Sequence, residues 1–139
     1  MPRNMRLTVN ERISSDGEIL VELDEAGLKA ASDELVTQGV DAIAICFINA
    51  YINAEHEKRA SDIILSDHPN LPVTISTAVA PEIREYERTC TAVANAYVLP
   101  LMRRYITDLQ EKLTALGLKG PLNVMLSGGG IAALRVAQE

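Results

Sequence analysis

The chain has 139 residues, of which 47% are hydrophobic and 23% are charged. This composition is typical of one soluble globular domain, residues 1–139, that is large enough to bury a core. The formal net charge of -6 excludes a general positive field, so we expect no nucleic-acid partner. No run of roughly 18 apolar residues is present, so the sequence predicts neither a membrane partner nor an export signal.

The chain contains two cysteines, Cys46 and Cys90. Two are too few for a disulfide framework, and Cys46 lies within an apolar run where a thiol acts as a small hydrophobic group. We therefore expect a reducing, cytoplasmic location.

The N-terminal segment predicts a β-hairpin followed by a helix. Apolar residues alternate from Leu7, the turn Ser14–Gly17 follows, and residues 19–23 return as the second strand. Asp24 is placed to cap a helix, and Gly39 is placed to end it in a left-handed conformation.

The next segment predicts parallel strands joined by a helix. Residues 40–48 are nearly all apolar, as in a strand covered on both faces. Asn53 is placed to cap a helix that runs to about Ser66, and residues 72–79 form the next strand. Together with the returning hairpin strand, this order predicts a parallel βαβαβ layer with a sub-boundary near residues 78–81.

The second half predicts one long helix, because apolar residues recur every three or four positions from Tyr86 to Leu116. Pro100 predicts a kink or a break in it. A buried strand at residues 122–126 and a glycine loop follow, and residues 131–139 predict the start of another helix. The predicted fold class is therefore α/β, with an N-terminal β-hairpin, a parallel layer, a long helical segment and a final strand and glycine loop.

Two groups of residues are candidates for binding a ligand. In the loop Ser127, Gly128, Gly129 and Gly130, backbone amides can approach a phosphate or carboxylate, and a following helix would favour the anion. The alternative is a flexible strand-to-helix turn without a ligand.

The second group is a charged cluster at the start of the long helix, made by Arg84, Glu85, Glu87 and Arg88. Arginine offers a planar fork of donors for a carboxylate or phosphate. The alternative is a solvated first helical turn. Asn95 lies two turns beyond Arg88 on the same face, where it either orients a ligand or bonds to a neighbouring loop.

The histidines and carboxylates predict no metal site. His56 lies in the first turn of a predicted helix and His68 lies in a loop, so they are not spaced as a pair of ligands. We expect both to be exposed surface residues. No activated nucleophile is evident, and the catalytic residues stay unassigned.

Three stretches together resemble the hydantoinase A and 5-oxoprolinase family, which includes N-methylhydantoinase A and the acetone carboxylase beta subunit type. These are Val9–Arg12 with Asp16–Gly17, the helix-opening stretch Tyr51–Arg59, and above all Pro81–Tyr105, which reads PEIREYERT, then NAYV, then RRY. Two departures are Ala54 where a proline is expected and Gly128 where the family usually has asparagine.

The resemblance implies an internal fragment of a longer enzyme that uses ATP, with Mg, to open a cyclic amide such as 5-oxoproline or a hydantoin. The fragment lacks the family's phosphate motifs, so we expect it to be inactive and to bind no cofactor alone. Implied partners are the remaining domains of the parent chain and a hydantoinase B type subunit. Apart from the resemblance, the apolar stripe from Tyr86 to Leu116 predicts a homodimer that would cover it. The alternatives are a fragment of an acetone-type ATP-dependent carboxylase and a non-catalytic docking module.

The resemblance also implies where the active site or an inter-domain cleft would be. The residues expected to face it are Arg84, Glu87, Arg88, Asn95, Ser127, Gly128, Gly129 and Gly130.

Overall fold

The computed structural model describes residues 2–125 and 129–133. The chain divides into two compact units, a first unit that ends at Ala96 and a second unit that begins at Tyr97. The change of pattern predicted near residues 78–81 lies inside the first unit. Among the described residues, no helix is long and apolar enough to cross a bilayer.

The first unit opens with a short 3-10 turn, Arg3–Met5, and then forms the predicted hairpin. Strand β1 (Arg12–Ile13) pairs antiparallel with β2 (Ile19–Val21). The Ser14 hydroxyl accepts hydrogen bonds from two backbone amides of the turn, and Gly17 has a φ of 88°. The turn therefore needs the positive φ for which the sequence provided glycine.

Helix α1 (Glu25–Thr37) begins and ends as the sequence predicts. The Asp24 side chain accepts a hydrogen bond of 2.9 Å from the backbone amide of Gly27, which is the N-cap arrangement. Beyond the helix, Gly39 has a φ of 78°. Helix α2 (Glu55–Asp67) has Ala54 at its N-cap, and the preceding Asn53 accepts a hydrogen bond from the Glu55 amide.

The parallel layer is smaller than predicted. Strands β3 (Ile43–Ile45) and β4 (Val73–Ile75) pair in parallel, with α2 as the connection. Among the described residues β2 pairs only with β1, so the hairpin adds no strand to this sheet. Side-chain hydrogen bonds attach the hairpin to the loop after β3 instead, and this contact replaces strand pairing.

The core of the first unit lies between the parallel pair and the two helices. Its buried members are apolar residues of α1, β3 and α2, namely Leu28, Ile43, Ile45, Ala60, Ile63 and Ile64. The strand predicted over residues 72–79 ends early, because a one-turn helix α3 (Ser76–Val79) begins where β4 stops.

Helix α4 (Glu85–Ala115) continues through Pro100, so of the predicted kink or break the structure has no break. Pro100 cannot donate to the carbonyl of Ala96, and Ala96 is also the residue where the first unit ends. The second unit therefore begins where one backbone hydrogen bond of the helix is missing.

Strand β5 (Asn123–Met125) pairs antiparallel with β6 (Ile131–Ala133) in the second unit. The prediction that a helix starts at Ile131 is wrong, because the chain reverses around Gly129 and pairs with the preceding strand. The rest of that predicted helix, residues 134–139, lies outside the described residues.

Candidate functional site

A buried carboxylate organises the ends of both parallel strands. Glu57 lies in the first turn of α2 and is fully buried. Its Oε1 accepts hydrogen bonds from the backbone amide of Phe47 at 3.0 Å and from Ser76 Oγ at 2.5 Å. Its Oε2 accepts from the amide and the hydroxyl of Thr77, at 3.0 and 2.9 Å. Each oxygen is thus satisfied twice, as a buried carboxylate requires.

A buried guanidinium completes this network from the start of α4. Arg88 is 1% exposed. Its Nε donates to Ser76 Oγ at 3.0 Å, one terminal nitrogen donates to the Glu82 carbonyl at 2.7 Å, and the other donates to the Phe47 carbonyl at 2.6 Å. The guanidinium also lies 5.7 Å from the ring centroid of Tyr51, within the range of a cation–π interaction.

Ser76 connects the two charges, because its hydroxyl donates to Glu57 and accepts from Arg88. The network therefore joins the loop after β3, the start of α3, the segment before α4 and α4 itself. Removing one member of such a buried pair leaves the other charge without compensation. This lowers the free energy of unfolding by several kcal/mol.

The structure separates the predicted charged cluster into buried and exposed members. The Arg84 side chain is 76% exposed and lies 3.5 Å from the Glu87 carboxylate, which is half exposed. Arg88, by contrast, uses its donor fork on backbone carbonyls and Ser76. Arg84 and Glu87 are therefore open to solvent and ligands, and Arg88 fixes the segment that carries Arg84.

Asn95 lies on the same side of α4 as Arg88 and is half-buried. Its side-chain nitrogen lies 3.4 Å from the hydroxyl of Thr74, which is buried in β4. Asn95 therefore contacts the parallel pair, close to the strand end at which Ser76 joins the network.

The glycine loop belongs to the second unit. Gly129 has a φ of 83° and both Gly129 and Gly130 are exposed. Ser127 and Gly128 lie outside the described residues. Because a strand follows the loop at Ile131, the described residues lack the positive helix end on which the predicted phosphate site depended.

The sequence reasoning missed a second buried pair. His56 and Glu11 have nearly fully buried side chains, and His56 Nδ1 lies 2.8 Å from Glu11 Oε2. His56 Nε2 has no hydrogen-bond partner within the described part of the chain. The expectation of an exposed His56 is therefore wrong, whereas His68 is partly exposed and lies 2.9 Å from the Asp33 carboxylate.

A signal for these polar residues was present in the helix pattern. His56 and Glu57 precede Ala60, Ile63 and Ile64 at spacings that place all five on the buried side of α2. A charged residue on an apolar helix face is the pattern that indicates a buried network.

Cys46 follows β3 and is half-buried beside the network. Burial raises the pKa of the Cys46 thiol, and a hydrogen bond with Thr89 opposes this only in part. Cys90 is exposed. Among the described residues, no group of three histidine, cysteine or acidic side chains is arranged to hold a metal ion.

Two family models match this chain. One is described as the hydantoinase/oxoprolinase N-terminal region and matches residues 1–67, and the other, hydantoinase/oxoprolinase, matches residues 88–139. The chain belongs to the hydantoinase/oxoprolinase family. The first match contains the Glu57 end of the network and the second begins at Arg88, so the network joins the two matched regions.

The chain resembles parts of much longer proteins. It is 40% identical over 139 residues to caprolactamase subunit alpha of Pseudomonas jessenii, covering 100% of this chain and 20% of that protein. The acetophenone carboxylase gamma subunit of Aromatoleum aromaticum is 35% identical over 94% of this chain, which covers 18% of that protein. The chain therefore spans about one fifth of the length of these two relatives.

The fold is also found in solved structures. The crystal structure of the ATP-dependent caprolactamase from Pseudomonas jessenii matches with a TM-score of 0.89 at 40% identity, over 94% of this chain and 19% of that one. The nucleotide-free structure of acetone carboxylase matches with a TM-score of 0.76 at 25% identity, over the same shares.

Proposed function

We propose that this chain is one part of a longer cytoplasmic enzyme that couples ATP hydrolysis to opening the C–N bond of a cyclic amide. The observation that carries this proposal is the match to caprolactamase, which extends over the whole chain at 40% identity and reproduces its fold. The described residues do not form a complete active site, so the chemistry belongs to the parent. ATP with Mg, the other domains of the parent and a hydantoinase B type subunit are the partners that this proposal requires.

Within the parent, we infer that Arg84, Glu87, Asn95 and the loop 127–130 face the active site or a cleft between domains. The exposure of Arg84 and Glu87 supports a ligand-facing role, because both charges are available to a partner. Arg88 contributes differently, since its donors fix the segment from Glu82 to the start of α4.

A second candidate is an ATP-dependent carboxylase that acts on a ketone. The match to the acetone carboxylase structure and the identity to the acetophenone carboxylase subunit favour it. In that case the parent would add a carboxyl group to a ketone, and a cyclic amide would be inert.

Calorimetric titration with ATP tests whether ATP binding requires the parent protein. We expect the 139-residue chain to bind ATP with a dissociation constant above about 10 μM, which corresponds to a binding free energy weaker than about -7 kcal/mol. We also expect it to show no hydrolase activity. The parent should bind ATP and hydrolyse it faster when a cyclic amide is added. Tight binding of ATP by the chain alone would contradict the proposal. So would a parent that hydrolyses ATP at the same rate with and without each cyclic amide tested.

A further inference from the structure

The second unit buries few of its side chains. Among its described residues, 97–125 and 129–133, the only buried side chains are Leu99 and Ile106. A compact unit needs a hydrophobic core formed by two packed layers. Much of the other apolar surface of this unit is exposed, and such a surface is a site at which further polypeptide can pack.

Helix α4 presents such a surface, which we call the tyrosine face. Tyr97, Leu101 and Tyr105 follow one another at intervals of four residues, so they share one side of the helix. Their exposed fractions are 76%, 61% and 61%. Val98 and Met102 form a second row beside them and are exposed by 45% and 39%.

The chemistry of the tyrosine face matches the centre of a protein interface. Its five side chains carry no charge; the exposed Arg104 lies along one side of it, and the exposed Asp108 lies at its C-terminal end. Interface centres are depleted in charge and enriched in tyrosine and methionine, with polar residues at the rim. Tyrosine also loses little conformational entropy when it is covered.

The β5–β6 hairpin of the same unit repeats the pattern. Met125 and Ile131 are cross-strand partners and are exposed by 75% and 72%. Directly opposite side chains lie on the same face of a sheet, so this hairpin also exposes an apolar pair.

The size of the tyrosine face decides which occupant covers it. Its side chains offer on the order of 500 Å² of accessible surface. A stable complex between separate chains buries about 800 Å² on each partner. A second copy would therefore bind weakly here, whereas a segment of the same polypeptide avoids the entropy lost when two chains associate.

We propose that the tyrosine face is an interface within the parent chain, covered by polypeptide that lies outside these 139 residues. The caprolactamase structure matches this fold at a TM-score of 0.89, although the match covers 19% of that chain. In that relative, most of the polypeptide is thus available to cover such a surface. The inference rests on the part of the proposed function that places this chain in a longer protein.

Tyrosine nitration followed by peptide mass spectrometry tests the interface. In the 139-residue chain, Tyr97 and Tyr105 should react fast, and the half-buried Tyr51 beside Arg88 is the slow internal reference. In the parent, Tyr97 and Tyr105 should be protected by about 10-fold or more. Equal reactivity in both proteins would overturn the proposal. So would protection in the short chain that grows with its concentration, because a second copy would then be the occupant.

A pair of substitutions gives an independent readout. Leu101→Asp should lower the melting temperature of the parent by several degrees, because a charge would enter the interface. The same change in the short chain should leave its melting temperature nearly unchanged. Gln110→Asp, at an exposed position on the opposite side of α4, is the control and should be silent in both proteins. Equal effects of Leu101→Asp in the two proteins would overturn the proposal.

These readouts are independent of catalysis. A parent that opens no cyclic amide but protects Tyr97 and Tyr105 keeps the interface and loses the proposed function. A parent that opens a cyclic amide but leaves Tyr97 and Tyr105 fully reactive keeps the proposed function and loses the interface.

Discussion

Glu57 and Arg88 show how two charges are accommodated in the interior of the first unit. Each oxygen of Glu57 accepts two hydrogen bonds, and each nitrogen of the Arg88 guanidinium donates to the protein. The sequence identified Arg88 as one of a charged cluster, but the cluster alone could not show which arginine is buried. That distinction depends on Ser76 and Phe47, which are distant in sequence and come together only in the fold.

Arg88→Lys tests the structural role of the planar donor fork. Lysine keeps the positive charge, but one ammonium group cannot reach Ser76 and both carbonyls together. We expect the free energy of unfolding, measured by urea denaturation, to fall by about 2–4 kcal/mol. Arg84→Lys is the control, and because its side chain is exposed we expect a change within about 0.5 kcal/mol.

If the Arg88→Lys variant is as stable as the Arg84→Lys variant, the network does not stabilise the fold. In the parent, we expect Arg84→Lys to lower turnover per folded molecule by about 10-fold, or about 1.4 kcal/mol, because we propose that Arg84 faces the ligand. Unchanged turnover would contradict that role.

The two thiols should differ in their reaction with iodoacetamide. The pKa of Cys46 is raised by burial, so at pH 7.5 less of it is thiolate, which is the reactive form. We expect the exposed Cys90 to be alkylated at least about 10-fold faster. Raising the pH should increase the Cys46 rate as its thiol ionises. A Cys46 that reacts as fast as Cys90 at pH 7.5 would contradict the buried placement.

At the scale of elements, the hairpin is attached to the loop after β3 by side chains. Asn49 has a φ of 58° and donates to the Ile13 carbonyl, and Asn53 donates to the Gly17 carbonyl. A β-carbon at Gly17 would lie 2.9 Å from Ile52 Cγ2. Close packing of Gly17 on Ile52 therefore fixes the hairpin to this loop.

A double-mutant cycle measures that packing. Gly17→Ala should destabilise the chain by about 2–4 kcal/mol, because it combines an unfavourable positive φ with a steric clash. In an Ile52→Ala background the clash is absent, and Gly17→Ala should cost only about 1 kcal/mol. Gly39→Ala is the matched control, since Gly39 also has a positive φ but its added β-carbon would meet nothing within 4 Å. If Gly17→Ala lowers the free energy of unfolding equally in both backgrounds, the contact between Gly17 and Ile52 is excluded.

The sequence predicted elements well where local signals decide them. The cap at Asp24, the positive φ at Gly39 and the parallel connection through α2 are local in this sense. Sequence-based prediction failed where contacts between distant residues decide the type or the end of an element. β4 ends early because Ser76 and Thr77 bond to Glu57, and Ile131 enters a strand because β5 is available for pairing. Helical periodicity contains no information about either contact.

For the whole molecule, family and fold are established and the activity of the parent remains a proposal. The two family matches contain the two ends of the network, Glu57 in the first and Arg88 in the second. The relatives differ in chemistry, since one solved structure is an ATP-dependent caprolactamase and another concerns acetone carboxylation. The network is an architectural feature that is compatible with both reactions.

Mass analysis of the product formed by the purified parent tests the proposed function most directly. The parent is incubated with ATP and either a cyclic amide or a ketone with bicarbonate, and ATP is omitted from matched controls. We predict that the amide gains the mass of one water molecule, only when ATP is present, and that the ketone is unchanged. A ketone that gains the mass of carbon dioxide, or an amide that stays intact in the presence of ATP, would contradict the assignment as a cyclic amide hydrolase.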